Sequence, residues 1–314
     1  MKKKAIIVSI KGPKLTKKEK ILLSKENPWG IILFKRNIES FNQLKKLIKF
    51  IKKLTKNKRF PILVDEEGST VSRLTNIYKN NFNAYYFGSL YKKDPKTALI
   101  LYKNYLGILC KNLKKIGINI NTIPVLDILR KNTNRIIGNR SFSKKKEIVK
   151  IFGDITIKRC HEKKIVTVVK HIPGHGCSTV DSHLKMPIVN LKEKNLDQID
   201  FYPFKSSSSK LAMTAHILYK KIDSQNVSTF SSKIIKKIIR KKIGFKGILM
   251  SDDISMKALK YDLITNAKKS LAAGCNLVLY CAGNIQDNFK LIKSIPYIDK
   301  FTSKKTSEIY KILR

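Results

Sequence analysis

Short runs of apolar and β-branched residues recur along the chain at 5–10, 30–34, 61–65, 118–127, 166–171, 211–217, 247–252 and 276–281. Each is strand-length and bounded by polar or turn-forming residues, so the pattern predicts eight strands. Between most of them lie amphipathic, lysine-rich stretches that carry helix-start chemistry. Thr16-x-x-Glu19 reads as a capping box, Ser40 precedes a long helix, Asp94-Pro95 sets proline at a first helical position, and Ser143 and Ser231 read as further caps.

Strands that alternate with helices imply parallel pairing through right-handed crossovers. Eight such units in 314 residues predict a single-domain TIM (β/α)8 barrel over 1–314, with an open doubly wound sheet as the alternative. No linker divides the chain, since the serine tract 206–209 is too short to separate domains. A barrel carries its chemistry at the carboxyl ends of its strands, and polar residues gather there in this sequence. Asp65-Glu66-Glu67-Gly68 ends the third run, Asp127 the fourth, Lys170-His171 the fifth, His216 the sixth and Asp252-Asp253 the seventh.

The charge changes the picture less than its size suggests. The formal net charge is +44, but nine arginines leave 57 lysines among the 66 basic residues, and these alternate with Ile and Asn in every segment. Base readers favour the bidentate fork of arginine in a clustered patch, whereas diffuse lysine fits a coding bias toward A and T. No specific nucleic-acid partner is expected, and a basic nucleic-acid- or wall-binding barrel is the rival from outside enzymology. Five cysteines at 110, 160, 177, 275 and 281 form an odd set without paired spacing, which fits a reducing compartment. The apolar stretch 5–10 is too short for a signal peptide, and no stretch reaches membrane-spanning length. The expectation is a cytoplasmic monomer with no membrane partner.

The densest chemistry is the window 170–183, Lys-His-Ile-Pro-Gly-His-Gly-Cys-Ser-Thr-Val-Asp-Ser-His. A zinc reading would use His171, His175, Cys177 and His183, yet Pro173-Gly174 breaks the helix that an i, i+4 histidine pair needs, so no metal or cofactor is expected. Asp181 and His183 stand two apart and meet if the loop turns, giving a carboxylate that orients an imidazole as an acid/base unit. At Ser251-Asp252-Asp253 adjacent side chains point to opposite sides of a strand, so one aspartate faces the barrel mouth while the other caps the following turn. Spacing leaves open which does which.

These residues resemble the signature of glycoside hydrolase family 3: Lys-His-Ile-Pro-Gly-His-Gly at 170–176, Asp-Ser-His at 181–183, and Gly244-Phe245-Lys246-Gly247 leading into Ser251-Asp252-Asp253-Ile254-Ser255-Met256. The segment 32–37, Val64-Asp65-Glu66-Glu67-Gly68 with Arg73, and Ile136 to Phe142 continue the match in order from about residue 29 to 283. Within the family, the length and the Asp-x-His loop resemble the NagZ-type bacterial β-N-acetylhexosaminidases of peptidoglycan recycling.

The resemblance implies a retaining exo-β-N-acetylglucosaminidase acting on GlcNAc-1,6-anhydro-MurNAc peptides. Asp252 is then the nucleophile and His183, oriented by Asp181, the acid/base, a departure from the usual pair of carboxylates. Asp65, Arg73, Arg140, Lys170 and His171 would bind the sugar, while His175 would shape the loop; Glu66 and Glu67 are the next candidates for the acid. A family 3 phosphorylase, or a glycosidase of other sugar specificity, is the rival among enzymes. One departure stands out: Ser69-Thr70 replaces the family's Gly-Arg after the acidic turn, and Ser69 is expected to strain or reshape it.

Overall fold

The computed structural model describes residues 2–182 and 184–314. Eight parallel strands close into one barrel: β1 (Lys4–Ser9), β2 (Pro28–Leu33), β3 (Ile62–Val64), β4 (Ile120–Asn121), β5 (Val166–Ile172), β6 (Leu211–Thr214), β7 (Ile248–Asp253) and β8 (Leu277–Leu279). They pair in chain order, and β8 returns to β1 through Ile6 opposite Val278 and Ile7 opposite Leu279. Helices cover the outside, so the strands are buried on both faces and read as unbroken apolar runs. Trp29 of β2 is wholly buried, and its indole N–H donates to Thr306 Oγ1 at 2.9 Å, tying the C-terminal helix Lys300–Ile312 to the barrel.

The helix starts follow their capping chemistry. Thr16 and Glu19 form a reciprocal capping box, Ser40 accepts from the Gln43 N–H, and Asp94 accepts from the Thr97 N–H with Pro95 first in the helix Pro95–Ile116. Ser231 accepts from the Ile234 N–H at 3.0 Å, ahead of the π-helical segment Ile234–Lys242. Ser143 does not cap its helix. It accepts from the N–H of Lys145, which itself holds the N-cap position two residues later, and the helix begins at Lys146.

Two strands differ from expectation. The run 118–127 is a ladder only at Ile120–Asn121, because Pro124 has no N–H to donate; beyond it the chain stays beside β5 through Leu126 N–H to Lys170 O at 2.7 Å and Lys170 N–H to Pro124 O at 3.2 Å. The run 211–217 stops at Thr214, after which Leu218–Tyr219 pairs with Ile188–Val189 in a small second sheet. That sheet braces the long connection after β5, the segment richest in chemistry. No helix among the described residues is long and apolar enough to cross a membrane.

Candidate active site

A cavity of about 310 Å³ opens at the carboxyl ends of the strands, where the β3, β5, β7 and β8 ends and the loops at 65–73 and 130–140 converge. Of the residues expected to bind or react, it brings together Asp65, Arg73, Arg140, Lys170, His171 and Asp252. Asp181 is half-buried beside the wall residue Ser182, and its carbonyl accepts from the Leu184 and Lys185 N–H groups at 3.1 Å each. His183 lies outside the described residues.

One wall is an ion cluster. Lys170 Nζ stands 3.1 Å from Asp65 Oδ1, 2.6 Å from Glu67 Oε1 and 2.9 Å from Thr122 Oγ1. Arg140 grips Glu67 with two parallel bonds, Nε to Oε2 at 2.7 Å and Nη2 to Oε1 at 2.9 Å. Arg73 lies 3.5 Å from Asp65 and over the Phe34 ring. Burial alone would raise the Asp65 carboxyl, but the Lys170 and Arg73 charges override it and hold it well below the usual range. Burial likewise works against ionisation of Glu67, and the Arg140 and Lys170 charges prevail and hold it at about 2.

Glu67 is therefore a carboxylate at neutral pH and is unsuited to donate a proton. Glu66 is also ruled out as the acid, because its side chain turns away from the cavity. There it accepts from Ser72 Oγ, the Arg73 and Leu74 N–H groups and Asn80, clamping the turn that presents Arg73. The alternation of a strand end separates the two neighbours into one structural clamp and one cavity group.

The stretch of wall beside the ion cluster is built on Asp127, which is fully buried and follows β4, between β3 and β5. Its Oδ2 accepts from His171 Nδ1 at 2.6 Å, and its Oδ1 accepts from the His175 N–H at 2.6 Å. This bond orients the His171 ring and leaves Nε2 as the nitrogen Asp127 does not engage. Burial penalises the Asp127 charge, and the His171 charge lowers its pKa overall. Burial pushes His175 down to about 4, so it is neutral near pH 7; it lines the cavity, with Nε2 3.3 Å from Ser182 Oγ.

Asp252 and Asp253 both reach the cavity but differ in what holds them. Asp253 accepts from the Ser255 N–H and hydroxyl and from the Cys281 N–H, so its carboxylate closes the local turn. Asp252 Oδ1 accepts from the Asp253 N–H at 2.8 Å, which orients one of its oxygens. His216 sits beneath the pair; it donates from Nε2 to the Asp253 carbonyl at 3.0 Å, and burial lowers its pKa, making it a neutral support. The substitution at Ser69 is harmless to the acidic turn. The left-handed φ of 149° belongs to Gly68, where a Cβ would lie 2.5 Å from the Phe82 carbonyl oxygen, while Ser69 has an ordinary φ and donates its N–H to that same oxygen at 2.7 Å.

In the sequence Asp127 and His216 stand out only as polar strand ends, and nothing there marks Thr122 or the ion-pairing of Glu67. A parallel (β/α)8 barrel with carboxylates, guanidinium groups and imidazole gathered around one strand-end cavity is the layout of an enzyme for a small polar substrate. The family model for the glycosyl hydrolase family 3 N terminal domain matches residues 2–306. The chain is 32% identical to the beta-hexosaminidase of Nitrosomonas eutropha over 281 residues, covering 88% of this chain and 80% of that protein. It is 32% identical to the beta-hexosaminidase of Psychromonas ingrahamii, with 93% and 88% covered. The crystal structure of native NagZ from Neisseria gonorrhoeae superposes with a TM-score of 0.90 at 30% identity, covering 98% of this chain and 90% of that one. A second structure of the Neisseria protein is in complex with N-trifluoroacetyl-D-glucosamine. The chain belongs to glycoside hydrolase family 3. It is a glycoside hydrolase.

Proposed function

We propose that the protein is a retaining exo-β-N-acetylglucosaminidase that removes terminal GlcNAc from peptidoglycan fragments, GlcNAc-1,6-anhydro-MurNAc peptides, in cell-wall recycling. The observation that carries this reading is Asp252 on the wall of a polar cavity, opposite the ion cluster, in a chain similar over most of its length to beta-hexosaminidases. The complex of the Neisseria relative with an N-acylated glucosamine supports the choice of sugar. The whole chain, 1–314, acts as one catalytic domain, a cytoplasmic monomer whose partner is this carbohydrate.

In the first step a carboxylate oxygen of Asp252 attacks the anomeric carbon while the bond to the leaving oxygen breaks, and His183 gives that oxygen its proton. Asp181 orients the His183 ring and stabilises its charged form. In the second step neutral His183 takes a proton from water, whose oxygen attacks the anomeric carbon and releases Asp252, so configuration is retained. Asp65, Arg73, Arg140, Lys170 and His171 hold the sugar. The fixed charges of Asp65 and Arg140 give directional partners for hydroxyl and acetamido groups.

The test is hydrolysis of an aryl β-N-acetylglucosaminide beside the matching aryl β-glucoside, in phosphate buffer, with the sugar product followed by NMR. Preferential release of free GlcNAc, first as the β-anomer, is expected. Preference for the glucoside, release of a sugar phosphate, or first appearance of the α-anomer overturns the sugar, the acceptor or the mechanism respectively.

A further inference from the structure

We infer that Glu67 is a positioning residue that sets the two cations of the sugar-binding wall, and so governs substrate affinity without itself reacting. This rests on the proposed glycosidase reading for the nature of the ligand. Its physical basis is a count of donors. Three N–H groups converge on the two oxygens of Glu67: Arg140 Nε at 2.7 Å, Arg140 Nη2 at 2.9 Å and Lys170 Nζ at 2.6 Å. Arg140 Nη1 also donates to the Ile136 carbonyl at 3.0 Å, so three of the five guanidinium N–H bonds are committed to the protein. Among the described residues the remaining two have no protein partner, and Arg140 lines the cavity. Glu67 thereby fixes the plane of the guanidinium, and with it the direction in which those two donors point. Through Lys170 the same carboxylate is joined to Asp65, which Thr122 also holds by a short hydrogen bond.

Both side chains of the Glu67–Arg140 pair are nearly buried, 6% and 9% exposed, so the bonds are weakly screened. A neutral amide at this position cannot serve all three donors, because its nitrogen end meets an N–H instead of accepting it. The guanidinium then loses its fixed plane and its two outward donors lose their aim. Contacts to sugar hydroxyls made in both ground and transition states weaken together, which raises KM while kcat changes little.

The experiment compares wild type, Glu67→Gln, Glu67→Asp, Arg140→Ala and the double variant Glu67→Gln/Arg140→Ala on the aryl glycoside that wild type cleaves fastest. Unfolding midpoints and active-site titration correct for folded fraction. For Glu67→Gln the expected result is a KM raised about 10- to 100-fold, the equivalent of losing a hydrogen bond to a charged group, with kcat within about threefold. Glu67→Asp keeps the charge at a shorter reach and recovers part of the loss. In the Arg140→Ala background Glu67→Gln adds much less than it does alone, because the group it positions is gone.

A lowered unfolding midpoint with unchanged KM, or effects of Glu67 and Arg140 that multiply independently, overturns the inference and leaves Glu67 a structural ion pair. A second readout needs no substrate: the Arg140 Nε–H resonance in 15N NMR is slow to exchange in wild type and averaged in Glu67→Gln. If it stays slow in Glu67→Gln, the inference fails. If wild type prefers the β-glucoside, the N-acetylglucosaminidase reading fails separately, and Glu67 is judged on the glucoside and on this resonance.

Discussion

Gly176→Ala probes whether the loop at 173–182 must seat tightly for the site to work. A Cβ built on Gly176 lies 1.9 Å from the Ile128 carbonyl oxygen and within 2.9 Å of that residue's N and C atoms. An ordinary carbon–oxygen contact is roughly 3.3 Å, so the loop must lift by more than about 1 Å, and the obstruction is backbone that cannot rotate away. The lift acts directly on chemistry: His175 bonds Asp127 at 2.6 Å one residue earlier, Thr133 Oγ1 donates to the Gly176 carbonyl at 2.5 Å, and Ser182 lines the cavity at the loop's far end. A misplacement of about 1 Å costs on the order of 10²-fold in rate, and that loss in kcat/KM is expected here. The barrel itself is untouched, so the unfolding penalty stays within the roughly 1–3 kcal/mol of an overpacked contact. The assay is kcat/KM on the aryl N-acetylglucosaminide with urea unfolding in parallel, and Gly12→Ala, whose Cβ meets nothing within 4 Å, as control. Wild-type kcat/KM in a folded Gly176→Ala protein would refute the claim that this close approach sets the site.

Asp127→Asn should lower kcat/KM about 10- to 100-fold with a cost of about 1–3 kcal/mol in stability, since the amide nitrogen opposes one of the N–H groups that now converge on the carboxylate; kinetics and urea unfolding check both figures. Because burial holds His175 at about 4 against 6.5 when unfolded, the unfolded chain binds the extra proton between those values. The stability this neutral ring permits is complete above pH 6.5 and falls by about 3 kcal/mol as pH drops toward 4, and His175→Gln should flatten that slope in urea titrations at stepped pH. His183→Ala should slow disaccharides by roughly 10²–10⁴ while sparing the first step with a dinitrophenyl glycoside, whose leaving group needs no proton; burst kinetics with both leaving groups decide it, and equal slowing would reassign His183 to positioning. Asp253→Asn should retain more activity than Asp252→Asn, because Asp253 closes a turn with Ser255 and Cys281; kcat for the two variants makes the comparison.

The barrel was legible because parallel strands buried on both faces leave unbroken apolar runs, and each of the eight runs overlaps a barrel strand. Lengths were less legible where a local feature overrides periodicity, as at Pro124, or where a run hands over to another sheet, as after Thr214. The polar strand ends pointed to the right rim of the barrel, and six of the expected residues line one cavity. The partners of those residues were not legible. Asp127 meets a histidine 44 positions away and Glu67 an arginine 73 positions away, distances across the chain that only the closed barrel brings together. Glu66 and Glu67 look interchangeable in sequence and differ completely in place, one clamping a turn and the other gripping two cations. The acidic turn shows the same limit: which of Gly68 and Ser69 needs a left-handed backbone depends on the approach of Phe82, 14 positions from Gly68.

Covalent trapping tests the central claim most directly. Incubation with a 5-fluoro analogue of an N-acetylglucosaminyl fluoride, followed by proteolysis and mass spectrometry, captures the glycosyl-enzyme ester because the ring fluorine slows both steps while the anomeric fluoride, a good leaving group, keeps formation faster than hydrolysis. The account predicts a single added N-acetyl-fluoro-glucosaminyl group on Asp252, absent in Asp252→Asn. A label on Asp253 or any other side chain, or turnover of the analogue with no covalent adduct, would contradict it.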